Sequence, residues 1–200
     1  LLKNDNILPL SKNMNHIHIA GVGANDIGMQ CGGWTMEWQG KMGMITEGTT
    51  ILEGIQSAVS PSTNISYSSD GNHNIKADIG IVVIGEEPYA EGIGDKEELY
   101  LSEKDKQVLS NMQKHNIPLI VIMLSGRPLI ITEEIKNWDA FIAAWLPGSE
   151  GNGISDVLFG DYKPTGKLSF AWPQSMDQIP LDYKSESSNP LFNYQFGLTY

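Results

Sequence analysis

Four carboxylates fall within ten consecutive positions of this 200-residue chain: Glu86, Glu87, Glu91 and Asp95. They sit in Gly85-Glu86-Glu87-Pro88-Tyr89-Ala90-Glu91-Gly92-Ile93-Gly94-Asp95, directly after the most hydrophobic run in the sequence. A carboxylic acid beside apolar walls or other carboxylates has a raised pKa, which suits it to give a proton to a leaving oxygen. Glycosidases use two such groups, one as acid/base and one as nucleophile or base. A solvated acidic loop or a cation site is the competing reading of the same residues.

A second segment, Cys31-Gly32-Gly33-Trp34-Thr35-Met36-Glu37-Trp38-Gln39-Gly40, places two tryptophans in a glycine-rich, polar stretch. A flat indole stacks on the apolar C–H face of a pyranose while polar neighbours meet the hydroxyls. Trp34, preceded by two glycines that expose it, is expected to contact ligand. Trp38 is expected to pack its loop onto the core. Arg127, in Ser125-Gly126-Arg127-Pro128, is expected to hold a carboxylate of the neighbouring acidic loop in place, as support and not as chemistry.

Other combinations point away from function. Gly21-Val22-Gly23-Ala24-Asn25-Asp26 imitates a dinucleotide fingerprint, but its third glycine is replaced by Asp26. An acidic side chain is the wrong charge where a pyrophosphate would approach. Cys31 is the sole cysteine, so neither an internal disulfide nor a cysteine-based metal site can form. Among the 4 histidines, His16 and His18 alone have a ligand-like spacing, which fits one face of a strand better than a metal site. A net charge of −11, with 13 scattered basic residues, argues against nucleic acid as a partner. No stretch approaches the ~18 apolar residues of a membrane span.

The elements that must carry these loops are legible as alternating patterns. Apolar runs at 16–21, 79–85, 118–124 and 140–146 read as strands buried on both faces. Segments 50–59, 102–115 and 148–159 show helical stripes, and Ser102 with Asp105 resembles a capping box. The expected fold is therefore α/β: a three-layer sandwich with a mostly parallel sheet covered by helices on both faces. A composition of 40% hydrophobic and 18% charged residues supports one such core. The tail after Gly160, punctuated by Pro164, Pro173, Pro180 and Pro190, is expected to wrap the surface. Ligands of such sheets bind beyond the carboxyl ends of the strands, here on loops 21–48, 85–100 and 125–128. The opening residues 1–6, without a methionine or a signal-peptide pattern, suggest a chain cut from something longer.

These segments together resemble the C-terminal α/β-sandwich domain of glycoside hydrolase family 3, in the branch of β-glucosidases and β-glucan exohydrolases. The matching pieces are LLKNDNILPL at 1–10, GGWTMEWQG at 32–40, EGTTILEGI at 47–55, GEEPYAEGIGD at 85–95 and SGRP at 125–128. They continue with AAWLPGSEGNGISDVLFGDYKPTGKLSFAWP at 143–173 and FGLTY at 196–200, in family order from end to end. The resemblance implies that residues 1–15 are a linker from a missing N-terminal TIM-like barrel and that 16–200 form the sandwich. It implies retaining hydrolysis of a β-linked glucoside or oligosaccharide, with an aspartate nucleophile on the barrel of the same polypeptide. Glu91 maps to the acid/base and Trp34 to the aromatic clamp. Glu86, Glu87 and Asp95 stand as second candidates that shape the loop, and no metal or organic cofactor is called for. The alternatives are a non-catalytic carbohydrate-binding or interaction module of the same fold and, more remotely, a nucleotide binder.

Overall fold

The computed structural model describes residues 1–74, 76–181 and 189–200. Among these residues the sheet has six strands: β1 (Lys3–Asn4), β2 (His16–Ala20), β3 (Asn64–Ser68), β4 (Ile79–Gly85), β5 (Leu119–Leu124) and β6 (Ala140–Trp145), ordered β1-β6-β5-β4-β2-β3. β2 to β6 pair in parallel, and β1 pairs antiparallel with β6. The α-helices among the described residues are α1 (Ile27–Cys31), α2 (Ile51–Ala58), α3 (Glu103–Gln113) and α4 (Gly151–Phe159). The expected mostly parallel α/β fold is the fold observed.

Alternation along the central strands explains the layers. Ile79, Ile81 and Val83 of β4 face one core with Ile51 and Ile55 of α2 and Ile154 and Leu158 of α4. Val82 and Ile84 face the other, with Val108, Leu109 and Met112 of α3 and with Trp138 and Trp172. A strand buried on both sides must be apolar at every position, so β4 and β5 read as unbroken runs. Each large aliphatic side chain buried in this way contributes roughly 1.5–3 kcal/mol.

Helix boundaries follow the caps. Thr50 lies outside α2: its hydroxyl accepts from the Glu53 amide at 3.1 Å, and the Glu53 carboxylate accepts from the Thr50 amide at 2.8 Å. At α3, Ser102 accepts from the Asp105 amide at 3.1 Å but gives its own proton to the Asp105 carboxylate at 2.7 Å. α4 begins at Gly151, three residues after its expected start, and ends on Gly160 in the left-handed conformation.

Two strands escape the apolar pattern because both lie at sheet edges. β3 reads Asn-Ile-Ser-Tyr-Ser and is largely solvated, while β1 is two residues long. Residues 1–15, read from the sequence as a linker, are woven into the domain: β1 joins the sheet, Leu2 enters one core, and Leu8 and Leu10 enter the other. In the tail, Trp172 is buried and its indole donates to the Leu129 carbonyl at 2.8 Å, so the tail closes a core as well as wrapping it.

All four histidines converge beside β2, on the α3 side. The His18 ring stacks on His73 at 4.0 Å, His16 meets His73 edge-on at 5.2 Å, and His115 lies 6.2 Å from His73. Ser66 Oγ stands 2.7 Å from His16 Nε2, 2.9 Å from His18 Nδ1 and 3.4 Å from His73 Nε2. The other His18 nitrogen faces Ser68 Oγ at 3.1 Å. A hydroxyl has one proton and two lone pairs, so it satisfies these rings best while they are neutral. The hydrogen bonds of the carboxylates in the adjoining 69–78 connection go to other groups, Asp70 to Asn72 and Asp78 to the Asn15 and His16 amides, although Asp70 lies within electrostatic reach of His18.

Burial, followed by repulsion from the other three histidines, pushes His18 down to about 4 from its ordinary 6.5. The unfolded chain therefore binds more protons between those values, and stability falls as pH is lowered through that window. For a ring that is 1% exposed, the loss is about 3 kcal/mol by pH 4. Urea midpoints of the domain between pH 7 and 4 should show this slope, and His18→Gln should flatten it; an equally steep acid limb in the variant would assign the effect elsewhere.

Candidate functional site

The strand order changes direction between β2 and β4: β3 lies outward from β2, whereas β5 and β6 follow β4 on the other side. Loops from the carboxyl ends of two such strands diverge and leave a crevice. The loops that leave here are the tryptophan segment after β2 and the acidic segment after β4. Gly85 ends β4 at φ 146°, where a Cβ would fall 1.8 Å from the Leu124 carbonyl oxygen. That close approach sends the acidic loop off the sheet beside β5.

The tryptophan loop is anchored at its base by two buried polar residues. Asp26 caps α1, accepting from the Met29 amide at 2.8 Å, and both its oxygens take the Gly43 amide at 2.9 Å. Its carboxylate fills the helix end that a phosphate would need, so the dinucleotide reading has no anion site here. Gln30, fully buried, donates to Gly148 O at 2.9 Å and Thr49 O at 3.2 Å and accepts from the Ile51 amide at 3.0 Å. Beyond this base the Trp34 amide donates to Trp38 O at 3.0 Å, closing a turn in which Trp34 and Met36 both have positive φ. Such backbone is costly for non-glycine residues and recurs at functional sites.

That turn stands clear of the sheet. Trp34 is 71% exposed, and Met36, two residues on, is exposed as well. Trp38, expected to pack on the core, is instead 54% exposed, with its ring tilted against Trp34 at 6.4 Å. The expectation fails because the loop leans on the acidic loop and not on the core. At Gly33 a Cβ would sit 2.0 Å from the Tyr89 carbonyl oxygen, so only glycine allows this contact.

The four carboxylates separate into distinct environments. Glu86 is 8% exposed and fully paired. Arg127 Nε donates to its Oε2 at 3.1 Å and Nη2 to its Oε1 at 2.7 Å, while Lys96 and Ser125 donate at 2.9 and 2.8 Å. Burial raises the Glu86 pKa, but the bonds from Arg127, Lys96 and Ser125 outweigh it and hold the group below the ordinary carboxylate range. Glu86 is therefore an ionised structural anion with no proton to give.

Arg127 does the supporting work expected of it. Its Nη1 donates to Gly94 O at 2.7 Å and its guanidinium lies 4.4 Å over the Tyr89 ring, so one side chain joins both ends of the acidic loop. Asp95 is exposed and accepts weakly from the Gly92 amide at 3.4 Å, while Glu87 is exposed.

Glu91 is also exposed, and the tryptophan loop reaches it. Trp34 Nε1 donates to Glu91 Oε2 at 3.3 Å. Gln39 Nε2 donates to the Glu91 carbonyl at 3.2 Å, and Gln39 Oε1 accepts from the Ala90 amide at 2.9 Å. The structure thus joins Trp34 and Glu91, the two residues singled out in sequence, and adds Gln39. The signal for Gln39 was its place in the quoted GGWTMEWQG stretch, although spacing alone gave it no partner. The two loops also expose Ile93 and Met44.

Comparison with known proteins gives this arrangement a context. The description "Glycosyl hydrolase family 3 C-terminal domain" matches residues 1–200. The periplasmic beta-glucosidase of Salmonella typhimurium is 27% identical over 258 residues, covering 100% of this chain and 33% of its own length. The lysosomal beta glucosidase of Dictyostelium discoideum is 29% identical, covering 100% of this chain and 28% of its own. Among solved structures, the exo-1,3/1,4-beta-glucanase ExoP of a Pseudoalteromonas species superposes with a TM-score of 0.89 at 42% identity, over 100% of this chain and 27% of that one. A beta-glucosidase from Listeria innocua, at 23% identity and a TM-score of 0.82, shares the fold. The chain spans about a third of the length of these proteins. It belongs to glycosyl hydrolase family 3, as a C-terminal domain of that family.

Proposed function

We propose that this domain supplies the acid/base, Glu91, and a sugar-contacting face, Trp34, to a retaining β-glycosidase acting on β-glucosides or β-glucans. The nucleophile is an aspartate on an N-terminal TIM-like barrel of the same polypeptide. The carrying observation is the Trp34 Nε1 to Glu91 Oε2 contact of 3.3 Å on an exposed rim. There a carboxylate with no ion pair among the described residues stands beside an aromatic face, while Glu86 is held as an ion in its salt bridges. The names of the relatives, β-glucosidases and an exo-β-glucanase of which this chain covers 27–33%, support the reading.

The chemistry runs in two steps. The barrel aspartate attacks the anomeric carbon, the glycosidic C–O bond breaks, and the Glu91 proton goes to the leaving oxygen. Glu91, now a carboxylate, takes a proton from the water that attacks the same carbon, which frees the aspartate and releases the sugar with its configuration retained. Such a mechanism holds the two carboxyl groups roughly 5–5.5 Å apart. Trp34 covers the apolar face of the sugar beyond the cleaved bond, and the exposure of Trp38 gives it a second indole for the same surface.

A second reading is a non-catalytic carbohydrate-binding module, favoured by the same pair of exposed indoles. Turnover separates the two. Purified residues 1–200 should leave an aryl β-glucoside intact, because an acid/base alone cannot form the glycosyl-enzyme intermediate, and a full-length protein with the barrel should hydrolyse it. Hydrolysis by the domain alone, above contaminant level, would overturn the division of labour. A full-length protein that binds sugar without turnover would favour the module.

A further inference from the structure

We infer that Gln39 is a positioning residue for Glu91, and that through it the tryptophan loop and the acid/base act as one rigid unit; the catalytic part of this inference rests on the role proposed above for Glu91. The side-chain amide pairs with the main chain on both sides of the Ala90–Glu91 peptide: Oε1 accepts from the Ala90 amide at 2.9 Å, and Nε2 donates to the Glu91 carbonyl at 3.2 Å. A primary amide imitates a peptide group, so this pairing works as one rung of a β-ladder between two loops that share no strand pairing.

The rest of the acidic loop shows why the rung matters. Arg127 holds the loop at Glu86 and at Gly94 O, on either side of Glu91 but away from it. Ala90 is buried, whereas Glu91, Gly92 and Ile93 are exposed, with Gly92 at φ 84° and no atom near the position of a Cβ. From its own loop, Glu91 has no buried neighbour after Ala90 until Gly94. Gln39 fixes the backbone at that point, and the Trp34 Nε1 bond at 3.3 Å orients the carboxylate. The Trp34 amide to Trp38 carbonyl bond, 3.0 Å, closes the turn that carries Trp34, and Gln39 directly follows it, so a sugar resting on Trp34 meets Glu91 in fixed register. Displacement of a reacting group by about 1 Å can lower a rate on the order of 100-fold, so a clasp on the acid's main chain bears on rate and not only on stability.

The experiment uses the full-length enzyme with Gln39→Ala, Gln39→Glu and Glu91→Ala, each assayed on an activated and a poor aryl β-glucoside. Amide exchange of the peptide spanning residues 88–95 is measured alongside. Gln39→Ala should speed exchange at that peptide and lower kcat/KM, which reports the glycosylation step, by on the order of 10-fold on the poor leaving group, with kcat/KM on the activated substrate and the thermal midpoint little changed. Gln39→Glu keeps the acceptor for Ala90 but sets a carboxylate against the Glu91 carbonyl, and should give the same signature. The strong leaving-group dependence of Glu91→Ala is the reference. Exchange that stays as in the parent overturns the clasp, whatever Glu91 does. Equal losses of kcat/KM on both substrates, with Glu91→Ala showing its signature, overturn the positioning role and leave Glu91 as the acid/base. Faster exchange without any leaving-group dependence in Glu91→Ala overturns the catalytic part through the failure of the Glu91 reading itself.

Discussion

Full-length enzyme carrying Glu91→Ala should hydrolyse an aryl β-glucoside with a poor leaving group on the order of 10²–10⁴ times more slowly than the parent, the usual worth of a general acid. A substrate whose aryloxide leaves readily should suffer far less in the glycosylation step, because that anion departs without a proton. Removal of the carboxylate also removes the base that activates water, so the glycosyl-enzyme should persist. Azide needs no deprotonation. It can enter the space left by the side chain, attack the anomeric carbon from the face water would use, and release a β-glycosyl azide. Rate recovery with azide and recovery of that product together assign the acid/base. Because Glu91 is exposed and its contacts are few, the substitution should leave the thermal midpoint unchanged, which separates lost chemistry from lost structure. If both substrates react almost as in the parent, Glu91 is a loop carboxylate and the search moves to Glu87 and Asp95. Glu86 does not join them, since its oxygens are committed to Arg127, Lys96 and Ser125.

The residues show which parts of this picture a sequence can carry. β4 and β5 were legible because a strand covered on both faces has no polar position to blur it, and their loops followed from the rule for parallel sheets. β3 and β1 were not, because an edge strand is paired on one side only and its side chains need not be apolar. The same limit hid the role of residues 1–15, where isolated leucines at 2, 8 and 10 give no period yet enter two different cores.

At the site, residue chemistry picked out Trp34, Arg127 and the carboxylate loop. It could not sort the carboxylates, because burial and partners separate them, and Glu86 differs from Glu91 only in what the fold sets against it. Trp38 shows the opposite error. Tryptophan is usually buried, but here its loop rests on another loop and leaves the indole in water. The histidines have no sequence spacing that predicts a cluster, since His73 and His115 reach the His16 and His18 pair from separate connections.

Arg127→Ala should be the most destabilising single change at this site, by about 3–5 kcal/mol, because it leaves a buried carboxylate short of its main partner. Three contacts go together: the bidentate pair with Glu86, the bond to Gly94 O, and the stacking on Tyr89. Lys96 is itself half-exposed and cannot replace a planar fork that meets both oxygens.

The pH dependence should reverse as well. In the parent, Glu86 has a depressed pKa, so its contribution is present above the unfolded value of 4.5 and is lost as pH falls through the lower folded value. Without Arg127, burial becomes the dominant influence and raises the group, so the folded state favours the protonated form and the variant weakens as pH rises through 4.5. Urea unfolding at several pH values reads both effects. The double variant Glu86→Gln/Arg127→Ala supplies the decisive comparison, since an uncharged amide of the same shape needs no cation. Recovery of much of the loss in the double variant identifies the stranded charge as the cause. An Arg127→Ala variant that unfolds at the parent's urea concentration would show that Lys96 and Ser125 suffice, and the reading of Arg127 as the clamp of the acidic loop would fall.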